Sequence, residues 1–218
     1  GMTRFIDFCL KRDGSGLLPS EKYHVYGDWL NINADTPKGV ISLAYFALST
    51  RLTAQAAEVL GKTEDAARYR ALFGQIRKTF NREFVAADGR IKGDTQACYA
   101  LAIAYDLLDE AKARQAADHL VANIESRGWH LSTGFVGTKD LMLALAKAGR
   151  NDVACRLAQT DTFPSWGFSI KNGATSIWER WNGWTPEKGF FDPGMNSFAH
   201  YSYGAVYQWM VENLGGIQ

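Results

Sequence analysis

Apolar residues recur at spacings of three and four along most of the chain, the period of helices that each bury one face. The pattern is cleanest over residues 64–84, where Tyr69, Leu72, Phe73, Ile76, Phe80 and Phe84 share a face. Thr63 stands where a cap is expected, and Glu64 and Asp65 suit the positive end of the helix dipole. The preceding helix is expected to open at Thr36-Pro37, a cap followed by proline at the first helical position. It runs through Ile41, Ala44, Phe46, Leu48 and Leu52 to Leu60, where Gly61 stops it. Its 41–48 part is apolar nearly all round and should be deeply buried. Asp94 is placed to cap a helix over 95–108, and Asp109 one over 110–126. Further helices are expected over 139–147, ending near Gly149, and over 151–159. A last helix is expected over 197–214, with Ala199, Val206, Trp209 and Met210 inward, and one over 3–12 opens the chain. About eight helices result. Residues 84–91, turning at Asp88-Gly89, read as a short extended piece, and there is no βαβ alternation. The fold class is all-α, and the short links between helices imply antiparallel hairpins.

The links differ in kind. Gly61-Lys62-Thr63 is short and polar, whereas 14–36, 127–138 and 163–196 are long and rich in glycine and aromatic residues. In an array of hairpins alternate links emerge at one end, so the long ones should gather where function sits.

Composition narrows the classes. At 218 residues, with 46% hydrophobic and 22% charged, the chain is expected to form a single domain over 1–218. A net charge of +1 gives no bulk attraction for nucleic acid or an anionic membrane. No apolar run approaches the roughly 18 residues needed to span a bilayer. Cys9, Cys98 and Cys155 form no Cys-x-x-Cys pair, and each has apolar neighbours. With no apolar leader after Gly1-Met2-Thr3, they lean towards a reduced, cytoplasmic compartment.

Four of the seven tryptophans, Trp166, Trp178, Trp181 and Trp184, crowd one stretch. Within it, Glu179 lies between Trp178 and Arg180-Trp181. Glu179 reads as a general base for water among aromatic rings, or as the structural partner of Arg180. Tyr26-Gly27-Asp28-Trp29-Leu30 reads as a turn that projects Asp28 and Trp29 into a site, or as a turn cap with a tryptophan plug. Thr133-Gly134-Phe135-Val136-Gly137-Thr138 reads first as a glycine turn entering a helix; it lacks the Lys-Ser/Thr ending of a phosphate loop. His200 opens the last expected helix, and His24, His119 and His130 have no metal-ligand spacing with it. Neither a metal nor a cofactor is expected. Carboxylates among tryptophans suit sugars: an indole covers the C–H face of a pyranose, and a carboxylate pair can hydrolyse its linkage.

These motifs together resemble the bacterial α-L-rhamnosidases of glycoside hydrolase family 78. The likeness rests on Gly27-Asp28-Trp29-Leu30, on 133–138, on Pro164-Ser165-Trp166-Gly167, on 173–181 and on Asn196-Ser197-Phe198-Ala199-His200-Tyr201. It implies a partial (α/α)6 barrel, an α/α toroid of helix hairpins, and inverting hydrolysis of terminal α-L-rhamnosyl linkages. It implies Glu179 as the catalytic base, with Trp29 and His200 lining the rhamnose pocket and Asp28 beside them. Trp178 and Trp181 would hold Glu179 in place. The family's general acid lies in a motif upstream of Gly-Asp-Trp, and the chain is expected to begin too late to contain it. The alternative is a catalytically silent carbohydrate-binding or interaction module that keeps the aromatic pocket. The expected ligand is a rhamnosyl oligosaccharide or glycoside. Apolar edges at Phe5, Ile6, Phe8, Leu10 and the Trp209-Met210 helix are expected to be covered by a second copy, by a docked N-terminal portion, or by the ends moving together into a smaller ring.

Overall fold

The computed structural model describes residues 1–13, 17 and 26–217. His24 and most of the first long link therefore lie outside the described residues. The elements are α1 (Met2–Asp13), α2 (Lys38–Val59), α3 (Thr63–Phe84), α4 (Gln96–Ala104), α5 (Glu110–Ser126), α6 (Phe135–Lys147), α7 (Asn151–Gln159), α8 (Trp166–Lys171) and α9 (Val206–Trp209). Among the described residues, β1 (Trp184–Thr185) and β2 (Gly189–Phe190) form the only sheet, a small antiparallel hairpin. The architecture is all-α, with α2 packed on α3, α4 on α5 and α6, and α6 on α7.

α4 is the centre of the core. Residues Gln96 to Ile103 of this helix are all buried, and small alanines let its neighbours approach closely. α3 buries Ala66, Tyr69, Leu72, Ile76, Thr79 and Phe80, the face its periodicity marked. α2 buries Val40, Ile41, Leu43, Ala44, Phe46 and Ala47 in its first half. The extended piece after α3 is a single antiparallel bridge between Val85 and Ile91.

Several helix starts differ from expectation, two of them because the expected cap bonds another group. Pro37 occupies the cap position of α2 without a side-chain cap, because the Thr36 hydroxyl instead bonds the Thr95 hydroxyl at 2.7 Å. Thr63 lies inside α3, after Lys62 at the cap position. Thr95, not Asp94, caps α4, accepting from the Cys98 N–H. The Asp94 carboxylate is taken by the Tyr99 hydroxyl and Arg90. Asp109 caps α5 as expected, accepting from Lys112 N–H at 2.8 Å.

α6 begins at Phe135, four residues before the expected start. α8 was not expected; Ser165 caps it, accepting from the Phe168 N–H at 2.9 Å. The last expected helix starts late: a 3₁₀ turn over Ser202–Ala205 precedes α9, and a π-turn over Met210–Leu214 follows it. His200 is therefore not helical. Ala199 is exposed and Met210 is 38% exposed, while Val206 and Trp209 face inward as expected. At the opening edge Phe5 and Phe8 are about half exposed, whereas Ile6 is buried.

Candidate active site

Three links converge beside the N-terminus of α6. The Ile32 N–H donates to the Ser132 carbonyl at 3.0 Å, and the Phe135 N–H donates to the Trp29 carbonyl at 2.9 Å. Arg127 reaches across with two N–H donors, to the carbonyls of Ile32 (3.4 Å) and Asn33 (3.1 Å). From α4, the fully buried Gln96 side chain donates to the His130 carbonyl and accepts from the Ser132 N–H. The third link joins through Trp181, whose indole N–H donates to the Thr133 carbonyl at 2.9 Å.

An aromatic chain runs through the junction. Trp166 meets Trp181 edge-on at 5.3 Å, and Trp181 stacks on Tyr203 at 4.0 Å. Tyr203 meets Phe135 edge-on, and Phe135 stacks on His200 at 4.9 Å. Burial, and then the nearby Asp28 charge, raises the Tyr203 hydroxyl far above the ordinary phenol range. It stays protonated and donates to the Leu30 carbonyl at 3.2 Å.

Asp28 is only 2% exposed, at the base of this junction. One carboxylate oxygen accepts from the Gly134 N–H at 2.8 Å. The other accepts from the N–H groups of Val136 and Gly137, each at 2.9 Å. Asp28 thus caps α6 from more than a hundred residues away in sequence, satisfying donors that a helix N-terminus leaves open. Burial pushes its carboxyl above the ordinary value, while the Gly137, Gly134 and Val136 amides pull the other way. The approach is so close that a side chain at Gly134 would put its Cβ 2.0 Å from the Trp29 carbonyl oxygen. These surroundings favour the capping alternative for Asp28 over direct contact with a sugar, although the cap serves a distant helix rather than its own turn.

Glu179 lies on a two-rung ladder between 176–179 and 197–200. The Glu179 N–H donates to the Ser197 carbonyl, and the His200 N–H to the Ile177 carbonyl, both at 2.8 Å. The Ser197 N–H returns a bond to Glu179 Oε2 at 2.8 Å. One carboxylate oxygen is anchored; Oε1 has no hydrogen-bond partner among the described residues. Arg180 turns away from Glu179: its guanidinium lies 3.8 Å over the Phe191 ring, and its Nε donates to Asn182.

The remaining candidates divide by exposure. Trp29 is 37% exposed and meets Tyr26 edge-on. His200 is half-buried between Phe135 and Tyr201. Trp178 and Trp181 are 7% and 2% exposed; Trp178 meets Phe198 edge-on at 5.1 Å, and Trp181 packs between Trp166 and Tyr203. Phe135, Ser197, Tyr203, Arg127 and Gln96 were missed by sequence reasoning. Only Phe135 and Ser197 carried a signal, since both fall within motifs already singled out.

Two hollows flank the junction. One of about 510 Å³ is mostly apolar and is lined by Trp166, Ile170, Ile177, Val206, Tyr207 and Met210 among others. The other, of about 860 Å³, lies under the β1–β2 hairpin and mixes phenylalanines with amide and charged side chains. Neither is lined by Glu179, Trp29 or His200. Among the described residues no group of three or more His, Cys, Asp or Glu could hold a metal ion. None of the described helices is long and apolar enough to cross a membrane.

Antiparallel hairpins of helices, with long aromatic links meeting at one junction, place the chain in the all-α class of α/α toroid domains. Residues 1–214 match the family model described as the bacterial α-L-rhamnosidase six-hairpin glycosidase domain, and the chain belongs to that family. It is 51% identical over 209 residues to an α-L-rhamnosidase of Streptomyces avermitilis, covering 95% of this chain and 20% of that protein. The crystal structure of the Streptomyces avermitilis α-L-rhamnosidase complexed with L-rhamnose superposes with a TM-score of 0.94 at 48% identity, over 99% of this chain and 20% of that one. The native enzyme from Aspergillus terreus superposes with a TM-score of 0.87 at 31% identity, over 93% of this chain and 25% of that one. The chain spans about a fifth of the length of the curated relatives it matches.

Proposed function

We propose that this chain carries the rhamnose pocket and the water-activating half of an inverting α-L-rhamnosidase site. Glu179 is the general base, Trp29 and His200 contact the sugar, and Trp178 and Trp181 hold the base in place. The observation that carries this reading is the state of Glu179. One oxygen is fixed by the Ser197 N–H and the other is left for a water, on a segment tied by its backbone to His200. A base needs such a fixed orientation and a free lone pair. Inversion needs a second carboxyl roughly 6.5–9.5 Å away to protonate the leaving oxygen. Asp28 is a poor source, because its carboxylate is spent on α6; it is a positioning residue here. The acid is therefore assigned to residues outside those described.

The family membership and the likeness to a relative solved with L-rhamnose support the choice of sugar. Rhamnose is expected to bind this chain weakly, in the millimolar range, or about −4 kcal/mol. Calorimetry on the wild type and Trp29→Ala tests the pocket. Binding should become undetectable in the variant, and equal binding by the two would place the sugar elsewhere.

A further inference from the structure

Leu30 is held in an unusual backbone conformation. Its φ of 63° lies in the left-handed region, which a bulky side chain rarely enters. Strain of this kind persists only where the surroundings over-determine it, and it gathers at functional sites. Trp29, the proposed sugar contact, immediately precedes Leu30, so the shape of this turn sets where the indole stands. Bonds on either side fix the neighbours of Leu30. The Trp29 carbonyl accepts from the Phe135 N–H at 2.9 Å, and the Asp28 carbonyl accepts from the backbone and side-chain N–H groups of Asn31 at 3.1 and 2.9 Å. The carbonyl of Leu30 itself accepts from the Tyr203 hydroxyl at 3.2 Å.

Tyr203 is placed to hold that carbonyl. It is 1% exposed, its ring stacks on Trp181 at 4.0 Å and meets Phe135 edge-on at 5.3 Å. Its own carbonyl accepts from the Trp166 indole N–H at 2.9 Å. Burial keeps the phenol protonated, so the donor is always present. The same 3₁₀ turn is tied to the other proposed sugar contact, because the Ser202 N–H donates to His200 Nδ1 at 3.3 Å. Trp29 and His200 stand on separate links, and both are thereby referred to one turn.

The geometry points to Tyr203 as a positioning residue of the rhamnose site: its hydroxyl holds Leu30 in the left-handed turn that aims Trp29 at the sugar. The inference rests on the proposed rhamnose pocket. A phenol that served packing alone would need its ring and not its hydroxyl, and Tyr203→Phe separates the two. The test is NMR of the indole N–H peaks, with and without rhamnose, for the wild type, Tyr203→Phe and the double variant Tyr203→Phe/Leu30→Gly. In Tyr203→Phe the Trp29 peak should shift or broaden, while the peak of Trp209, whose indole donates to Asn151 on α7 at 2.8 Å, should stay in place. Rhamnose affinity should fall about fivefold, the scale of one net hydrogen bond. Glycine enters the left-handed region freely, so the double variant should bring the Trp29 peak back and return affinity to within about twofold of the wild type. If the Trp29 peak is unchanged in Tyr203→Phe, or if Leu30→Gly restores nothing, the inference is overturned, and rhamnose binding by the wild type keeps the pocket reading. A Trp209 peak that moves as well, without rescue, would show that the hydroxyl supports the fold at large, and overturns it too. If rhamnose leaves the Trp29 peak of the wild type in place, the pocket reading fails and takes the inference with it.

Discussion

Asp28 shows how one side chain can fix a junction through backbone contacts alone. Its two oxygens take three backbone donors at the start of α6, and two of those donors belong to glycines. Gly137 is glycine because a Cβ there would lie 2.8 Å from Asp28 Oδ2 and 2.7 Å from the Ala97 Cβ. The Gly-Asp-Trp turn and the Thr-Gly-Phe-Val-Gly-Thr turn are therefore two halves of one device. It also sets where Trp29 stands, since the Trp29 carbonyl accepts from Phe135. Replacing Asp28 with Ala leaves the buried N–H groups of Gly134 and Gly137 and the part-buried N–H of Val136 without this acceptor. The expected loss is about 2–4 kcal/mol of stability, read from the urea midpoint at constant slope. A loss within about 0.5 kcal/mol, the usual range for an unremarkable surface change, would show that the cap is dispensable.

At the scale of elements, the legible parts were those whose causes are local. Periodicity marked α3, α7 and the buried half of α2, and Asp109 correctly marked the start of α5. Most missed boundaries have causes that helical periodicity does not carry, some of them distant in sequence. α6 starts early because its cap comes from Asp28, and α4 loses Asp94 as a cap because Tyr99 and Arg90 hold that carboxylate. The last helix starts late because 197–200 pairs with 176–179 and is drawn out of helical geometry. The resemblance already put Glu179 and His200 at one site, but the backbone ladder that joins their segments carries no local sequence signal. The ladder makes its own prediction. Ser197→Pro removes the N–H that anchors Glu179 Oε2 but keeps the carbonyl that pairs with the Glu179 N–H. Rhamnose binding by calorimetry should persist, while hydrolysis of an activated aryl rhamnoside falls about tenfold or more, since orientation is what the bond supplies. Equal losses in both would mean that the substitution unfolds the segment.

For the molecule as a whole, exposed apolar side chains include two groups at the edges of the helical array. Phe5 and Phe8 project from α1, and Tyr207, Met210, Leu214 and Ile217 lie at the other end of the chain. Apolar patches of several hundred Å² are seldom left bare on a soluble monomer. Self-association at micromolar concentration is the expected result, measured as a light-scattering mass above 24.2 kDa. A strictly monomeric mass with no binding of an apolar dye would show that these edges do not pair. In the proposed mechanism Glu179 activates water without a carboxylic acid from the described residues. A dinitrophenyl leaving group departs with little need for protonation, whereas a methoxyphenyl group needs an acid. The most direct measurement is anomer-resolved NMR of this chain acting on both α-L-rhamnosides. Slow release of β-L-rhamnose from the dinitrophenyl substrate alone is expected, falling about a hundredfold or more in Glu179→Gln. Efficient hydrolysis of both substrates, or a rate unchanged by Glu179→Gln, would contradict it.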